Sequence, residues 1–207
     1  MIKAYKYRIY PTHRQRKLLQ GQLDACRWLY NHFLEERKTV YEATGKGISC
    51  YDQINSLPAL KQTHPELALV HSQVLQNVAV RLDLAFKAFF QRLKQKAEKP
   101  GFPRFKGFWR YDSITFPQLT MPVCVIEGDR LRVAKVGQIK IVEHRPMKGV
   151  PKTATLTRSS TGKWYVCFSC ENVPPQDEPE TGRAVGIDVG LKSVRRVTRF
   201  CILSPGE

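Results

Sequence analysis

Hydrophobic and polar residues alternate over the first ten positions of the chain. Tyr5, Tyr7 and Ile9 fall on one face of this stretch, whereas Lys6 and Arg8 fall on the other. Alternation with a period of two is typical of a β-strand that buries one face. The chain is therefore predicted to open with a half-buried strand.

A long amphipathic helix is predicted after Pro11. Thr12 and Gln15 have the spacing of a capping box, which marks a helix start. Apolar residues then recur at helical spacing, at Leu19, Leu23, Cys26, Tyr30 and Phe33. This periodicity predicts a helix that ends near Arg37 or shortly after it.

Two glycines and two prolines interrupt the next stretch, which is predicted to be a loop followed by short helical pieces. These residues are Gly45, Gly47, Pro58 and Pro65. A second long helix is predicted from Ser72 to about Ala97. Its apolar stripe comprises Leu75, Val78, Leu82, Phe86, Phe89 and Leu93. We interpret this stripe as a packed helix face, and the opposite face is basic.

The second half of the chain has the pattern of β-hairpins. The segment VCVIEGDRLRV places a Gly-Asp turn between two apolar runs, QIKIVEH alternates, and TATLTRSSTGKWYVCFSCE resembles two strands joined by a short turn. These strands predict a small β-barrel. The segment NVPPQDEPET that follows is rich in proline and acidic residues and is interpreted as an exposed linker.

The net charge of the chain indicates which class of partner it favours. The 207 residues include 34 Lys and Arg against 18 Asp and Glu, which gives a formal net charge of +16 and a pI of about 9.8. A chain this basic favours polyanions, and nucleic acid is the leading candidate. The alternative is a basic surface without a specific partner.

The sequence also indicates the cellular compartment of the protein and whether a zinc site is expected. It has neither the apolar segment of a signal peptide nor a run long enough for a membrane helix, so we expect a cytoplasmic protein without a membrane partner. Cys167 and Cys170 form a CxxC, but in a strand this spacing puts them on opposite faces, and no second such pair completes four ligands. No zinc site is predicted, and the five histidines are dispersed.

The most promising nucleic-acid patch lies in residues 87–110, where cations alternate with aromatic residues. The cations are Lys87, Arg92, Lys94, Lys96, Lys99, Arg104, Lys106 and Arg110, and Glu98 is the acidic residue among them. Cations neutralise phosphates, and aromatic side chains in loops stack on bases. The alternative is that the phenylalanines belong to the core and the cations form a solvated face.

Near its end the chain reads AVGIDVGLKS, which places Asp188 inside an apolar run followed by glycine. A carboxylate in this position can be a metal ligand at the edge of a sheet, because a cation offsets the cost of burying its charge. In the RNase H fold such an aspartate helps to hold paired divalent ions. The same string also resembles the first phosphate loop of sugar kinases and actin-like ATPases.

Several motifs in one order resemble the TnpB (OrfB) family of transposon-encoded RNA-guided nucleases, which are related to type V CRISPR effectors. The motifs are RIYP, WLYNHFL, LQN, AFKAFF, GFPRFK, YDSITFP, GKWYVCFSC and VGIDVGLKS. This resemblance implies an α+β fold. A wedge-type β-barrel of residues 1–11 and 99–172 would be interrupted by a helical recognition domain of residues 12–98. A linker of residues 173–182 and the first strands of a truncated, RNase H-like RuvC domain, residues 183–207, would follow.

The resemblance also implies a function and a set of site residues. Guide RNA and target DNA would be the partners, held by shape and backbone while base pairing reads the sequence. Asp188 would be the first RuvC carboxylate and a ligand of the Mg²⁺ or Mn²⁺ ions used by the family. The residues expected to contact the short DNA motif beside the target are Tyr51, Gln76, Asn77 and, as a weaker candidate, Thr115.

The sequence departs from the family after Asp188. The second-strand glutamate, the later aspartate and the paired CxxC motifs of the family do not occur in the residues that follow. The expectation is a chain that binds RNA and DNA but does not cut alone. One alternative is a non-catalytic binding module that acts as a repressor or guide-RNA chaperone, and a less favoured one is an actin-like ATPase fragment.

Overall fold

A computed structural model describes residues 1–119 and 123–175, together with the backbone of two short strands, Ile187–Val189 and Val194–Arg196. The chain divides into two compact units, Met1–Pro174 and Pro175–Glu207. Most of the predicted linker and RuvC segments therefore lie outside the described residues. Among the described helices, none is both long and apolar enough to cross a membrane.

The predicted opening strand is confirmed as β1, Lys3–Tyr10, in which Tyr5, Tyr7 and Ile9 are buried. The helix after it, α1, spans His13–Thr44 and begins with the predicted capping box between Thr12 and Gln15. It continues beyond the predicted end near Arg37. Nothing in the sequence breaks the helix before Gly45, which ends it in the left-handed conformation at φ 67°.

The next segment is more helical than predicted. Helix α2 spans Cys50–Thr63 and contains Pro58, which was wrongly expected to interrupt it. A capping box between Ser49 and Asp52 starts the helix, and the exposed position of Pro58 lets solvent hydrate the carbonyl group that the proline leaves without a donor. A short 3-10 turn, Pro65–Leu69, follows.

Helix α3 spans Ser72–Lys94, close to the predicted range. The first half of its predicted apolar stripe is buried, with Leu75, Val78 and Leu82 all at most 1% exposed. The second half is not, since Leu93 is 45% exposed. The interpretation of the whole stripe as core is therefore wrong for the C-terminal end of this helix.

The predicted strands and hairpins form one antiparallel, barrel-like sheet of seven strands within residues 1–175. The further strands are β2 (Ser113–Phe116), β3 (Cys124–Glu127), β4 (Arg130–Val133), β5 (Gly137–Val142), β6 (Val150–Arg158) and β7 (Trp164–Glu171). Their order across the sheet is β2-β6-β7-β1-β5-β4-β3. The opening strand thus pairs with β5 and β7, and the α+β class is confirmed.

The helices contact this sheet along its edge strand β2. Arg81 of α3 donates hydrogen bonds to the Ser113 carbonyl oxygen at 2.9 Å and to the Thr115 hydroxyl at 3.0 Å. Buried Tyr30 of α1 also lies near Tyr111, just before β2, with ring centroids 6.3 Å apart. Residues 95–112, which connect α3 to β2, therefore lie where the helices meet the sheet.

Candidate nucleic-acid interface

The basic, aromatic segment 87–110 is held by contacts to α1. The Asn31 side chain donates to the Lys106 carbonyl oxygen at 3.0 Å and accepts from the Lys106 backbone amide at 2.7 Å. The Lys106 ammonium lies 5.6 Å from the centre of the Tyr30 ring. Asn31 and Tyr30 both come from the WLYNHFL motif, so this motif positions the loop.

Four phenylalanines in this region pack on one another. The rings of Phe86, Phe89, Phe90 and Phe102 are neighbours, with centroid separations between 5.2 and 6.2 Å. They line one side of an apolar concavity of about 610 Å³ between α1 and α3. Phe90 and Phe102 remain about half exposed, at 53% and 45%. The cluster thus fixes the loop and also leaves aromatic surface open.

The predicted cations of this segment fall into two groups. Five are exposed, and their side chains make no hydrogen bond or ion pair within the described residues: Lys94, Lys96, Lys99, Arg104 and Arg110. The side chains of the other three contact other residues of the chain. Arg92 donates to the carbonyl oxygens of Pro100 and Gly101, and Lys106 lies against Tyr30. Lys87 forms an ion pair with Asp83 at 2.9 Å.

The environment of Lys87 also affects its protonation. Its hydrogen bond to Asp83 and the negative charge of that carboxylate raise its pKa. Lys87 is therefore a charged cation whose ammonium group is paired with Asp83. Tyr51 is 78% exposed, which leaves its ring available to a partner.

The four residues expected to contact the DNA motif lie on three elements: Tyr51 on α2, Gln76 and Asn77 on α3, and Thr115 on β2. Gln76 is exposed and lies eleven residues before Lys87, which places both on one face about 16 Å apart. Asn77 precedes Arg81 by one turn, and Arg81 binds Thr115, so these residues share the adjacent face. Thr115 also exchanges a hydrogen bond with Thr155 at 3.0 Å. Gln76 therefore lies on the face of α3 that carries Lys87, Asn77 lies on the face that meets β2, and Tyr51 lies on a different helix.

A second cationic surface lies on the outer face of β1 and β7. The Arg8 guanidinium lies 5.0 Å from the Tyr10 ring centre and 5.4 Å from that of Tyr165, and Lys6 lies 4.7 Å from Tyr165. The alternation of β1 put Lys6 and Arg8 on one face. The pairing with Tyr165 was missed, because it depends on the register of two strands far apart in sequence.

The structure does not assemble a metal centre from the described residues. The backbone pairs Asp188 with Arg195 in the two-stranded sheet formed by β8, Ile187–Val189, and β9, Val194–Arg196, while their side chains lie outside the described part. Where side chains are described, no group of three or more His, Cys, Asp and Glu residues could hold a metal ion. Cys170 is buried and Cys167 half-buried, as opposite faces require.

Comparison with known proteins now identifies the family. A sequence profile described as a helix-turn-helix domain, that of OrfB proteins, matches residues 1–46. In the structure this range contains β1 and α1, a strand and one helix. The matched range ends within the turn of residues 45–49 that follows α1, and the next helix, α2, lies beyond it.

Three curated proteins are similar to this chain. A "Putative RNA-guided DNA endonuclease" of Streptomyces pristinaespiralis is 32% identical over 212 residues, covering 99% of this chain and 48% of that protein. The "Putative RNA-guided DNA endonuclease InsQ" of Escherichia coli K12 is 26% identical over 206 residues, covering 99% and 49%. "Virulence protein VsdF" of Salmonella dublin is 31% identical over 116 residues, covering 52% and 97%.

The chain spans about half the length of the two nuclease relatives. The match extends along nearly the whole chain, and the strand, the capped helix and the hairpins occur in the order that the motifs predicted. The chain belongs to the TnpB (OrfB) family.

Proposed function

We propose that residues 1–175 are the part of an RNA-guided DNA endonuclease that binds guide RNA and target DNA. The observation that carries this proposal is the group of exposed cations at the end of α3 and in the loop after it. They are free of acidic partners among the described residues and adjoin half-exposed aromatic rings. Phosphates and unpaired bases suit these two kinds of side chain.

Different residues would serve different purposes in this binding. Lys94, Lys99 and Arg104 would neutralise backbone phosphates, which gives affinity without sequence preference. Gln76 and Asn77 carry amides that can both donate and accept hydrogen bonds, as reading a base edge requires. Tyr51 would contribute its exposed ring or hydroxyl to the same DNA duplex.

Cleavage is a separate matter. Asp188 would be one metal ligand, and Mg²⁺ or Mn²⁺ would supply the activated water and stabilise the leaving oxygen. A two-metal site needs several carboxylates, and residues 189–207 contribute only Glu207. For these 207 residues taken alone we therefore expect RNA and DNA binding without cleavage. Metal-dependent cutting of a target matched to the guide would contradict this expectation.

The test compares the salt dependence of RNA binding in two matched variants. Changing Lys94, Lys99 and Arg104 together to Gln removes three cations, and should reduce the slope of log affinity against log salt by about 2 on single-stranded RNA. A control with Lys94→Arg, Lys99→Arg and Arg104→Lys keeps every charge and should keep the slope. Equal slopes for the wild type and the Gln variant would overturn the proposed surface.

A further inference from the structure

Trp109 differs from the other tryptophans of the chain. The three tryptophans, Trp28, Trp109 and Trp164, all lie in the described part. Trp164 is 4% exposed, and Trp28 is half-buried against His32, with centroids 4.9 Å apart and nearly parallel rings. Trp109 is 73% exposed. Leaving so large an apolar ring in water forgoes burial energy that folding would otherwise gain, so the ring is a candidate for binding a partner.

The exposed ring is held in place on one side. Phe108 meets Trp109 edge to face at 4.8 Å, and the Arg158 guanidinium lies 5.1 Å from the centre of each ring. Arg158 is itself fixed, since its side chain donates to Gln20 and its backbone amide donates to the Asp112 carbonyl oxygen at 2.8 Å. A ring supported in this way can stack with a ligand at a small entropic cost.

Two concavities meet at Arg158. The first, of about 320 Å³, is lined by Trp109, Arg158, Asp112 and the hydroxyl-bearing Ser159 and Ser160. These groups provide an aromatic wall together with hydrogen-bond donors and acceptors. The chemistry suits a planar, polar ring such as a nucleobase.

The second concavity, of about 550 Å³, lies on the other side of Arg158. It is lined by one face of α1 between His13 and Asp24, including Arg16 and Lys17, and by the turn at Gly162. Its cations outnumber its single carboxylate, Asp24. The two concavities thus place an aromatic, hydroxyl-lined surface beside a cationic one.

We propose that Trp109 and Arg158 form a binding site for an unpaired nucleobase of single-stranded RNA or DNA, with its phosphates against Arg16 and Lys17. The site lies outside the cation set of the proposed function but depends on that function, because it requires nucleic-acid binding. A duplex would not satisfy it, since paired bases already stack on their neighbours and expose no ring face. The cations around Arg158 favour a nucleotide over an apolar protein segment.

The first test uses the fluorescence of Trp109. Titrating the wild-type chain with short single-stranded RNA and DNA of the same sequence should quench the exposed tryptophan, as stacking places a base on the indole. In a Trp28→Phe variant, which keeps Trp109, the same strands should quench the fluorescence as they do in the wild type. A Trp109→Phe variant should lose the quenching, and the stronger of the RNA and DNA responses identifies the favoured strand. Unchanged quenching in Trp109→Phe would overturn the site.

The second test separates bases from phosphates. Trp109→Ala should weaken binding of a single strand roughly 5- to 150-fold, but should leave binding of an abasic strand of the same length unchanged. Arg158→Lys keeps the charge but loses the planar guanidinium. Its affinity for the single strand should therefore lie between those of the wild type and Trp109→Ala. Trp109 is exposed, so its removal should not unfold the chain, and circular dichroism checks this.

The outcomes distinguish the two proposals. If the wild type binds no strand, the proposed function fails and the base site fails with it. If the wild type binds but Trp109→Ala binds equally well, the base site alone is wrong. A loss of the same size on the abasic strand, or self-association of the chain that depends on Trp109, would assign this ring to another role and would also overturn the base site.

Discussion

The side chain of Asn31 fixes a loop that is 75 residues away in the sequence. Its amide matches the backbone donor and acceptor of Lys106 with two hydrogen bonds, as a neighbouring strand would. From the sequence, the cations of residues 87–110 are predicted to form one nucleic-acid patch. In the structure Arg92 holds the loop through the nearby carbonyl groups of Pro100 and Gly101, whereas Lys106 lies against Tyr30 of α1, which only the fold brings near.

At this scale we predict that Asn31→Ala destabilises the chain. Two hydrogen bonds are lost and the half-buried Lys106 backbone keeps no substitute, so the free energy of unfolding should fall by about 1–3 kcal/mol. Urea denaturation measures this value. Asn55→Ala, at an exposed position of α2, removes the same amide and should change stability little. Equal effects of the two substitutions would show that Asn31 does not hold the loop.

At the scale of elements, Gly149 immediately precedes β6 and has a conformation and a surrounding space that only glycine fits. Its φ is +81°, and an added Cβ would overlap the Glu171 carbonyl oxygen and lie 2.8 Å from Val173 Cγ2. Gly162, in the turn between β6 and β7, has a similar φ of +74° but open space around it. Substitutions at these two glycines therefore distinguish the effect of backbone strain alone from the effect of strain combined with steric overlap.

We predict that alanine at these positions has unequal effects. Gly162→Ala should cost about 1–2 kcal/mol through left-handed strain alone. Gly149→Ala adds overpacking against backbone and should cost about 2–5 kcal/mol. Thermal or urea unfolding of both variants measures the difference. Equal losses of unfolding free energy in the two variants would mean that the end of β7 moves freely to accommodate the methyl group added at position 149.

Elements with a strong local signal could be predicted from the sequence. The capping box at Thr12, the alternation of β1 and the Gly-Asp turn each lie within a few residues, and the structure has them where expected. Local signals failed where a competing effect decided. Pro58 lies inside α2 because it faces solvent, and Leu93 is exposed because α3 extends past the elements that cover its first half. The Tyr165 and Arg158 contacts needed the strand register.

At the scale of the molecule, residues 1–174 form one compact unit in which β1 lies between strands more than 120 residues away. Helices and sheet share this unit, and two buried thiols can report on its cooperativity. Cys26 lies in α1 and Cys124 in β3. Burial raises the pKa of each thiol from 9.0 to about 12.

The sign of the resulting pH dependence follows from linkage. Above pH 9 the unfolded chain releases these protons while the folded chain keeps them, so stability is complete below that pH and falls as pH rises towards 12. Each thiol should lower the free energy of unfolding by about 1.4 kcal/mol between about pH 8 and about pH 10. The double variant Cys26→Ala, Cys124→Ala should lose about 2.7 kcal/mol of this dependence.

The single variants show whether helices and sheet unfold together. If residues 1–174 unfold as one cooperative unit, Cys26→Ala and Cys124→Ala should each flatten the pH dependence of the same urea transition by a similar amount. Circular dichroism at wavelengths dominated by helix, compared with tryptophan fluorescence, follows both parts. Two transitions, each sensitive to one cysteine, would instead separate the helices from the sheet. A pH dependence unaltered in the double variant would mean that neither thiol is protected from solvent in the folded chain.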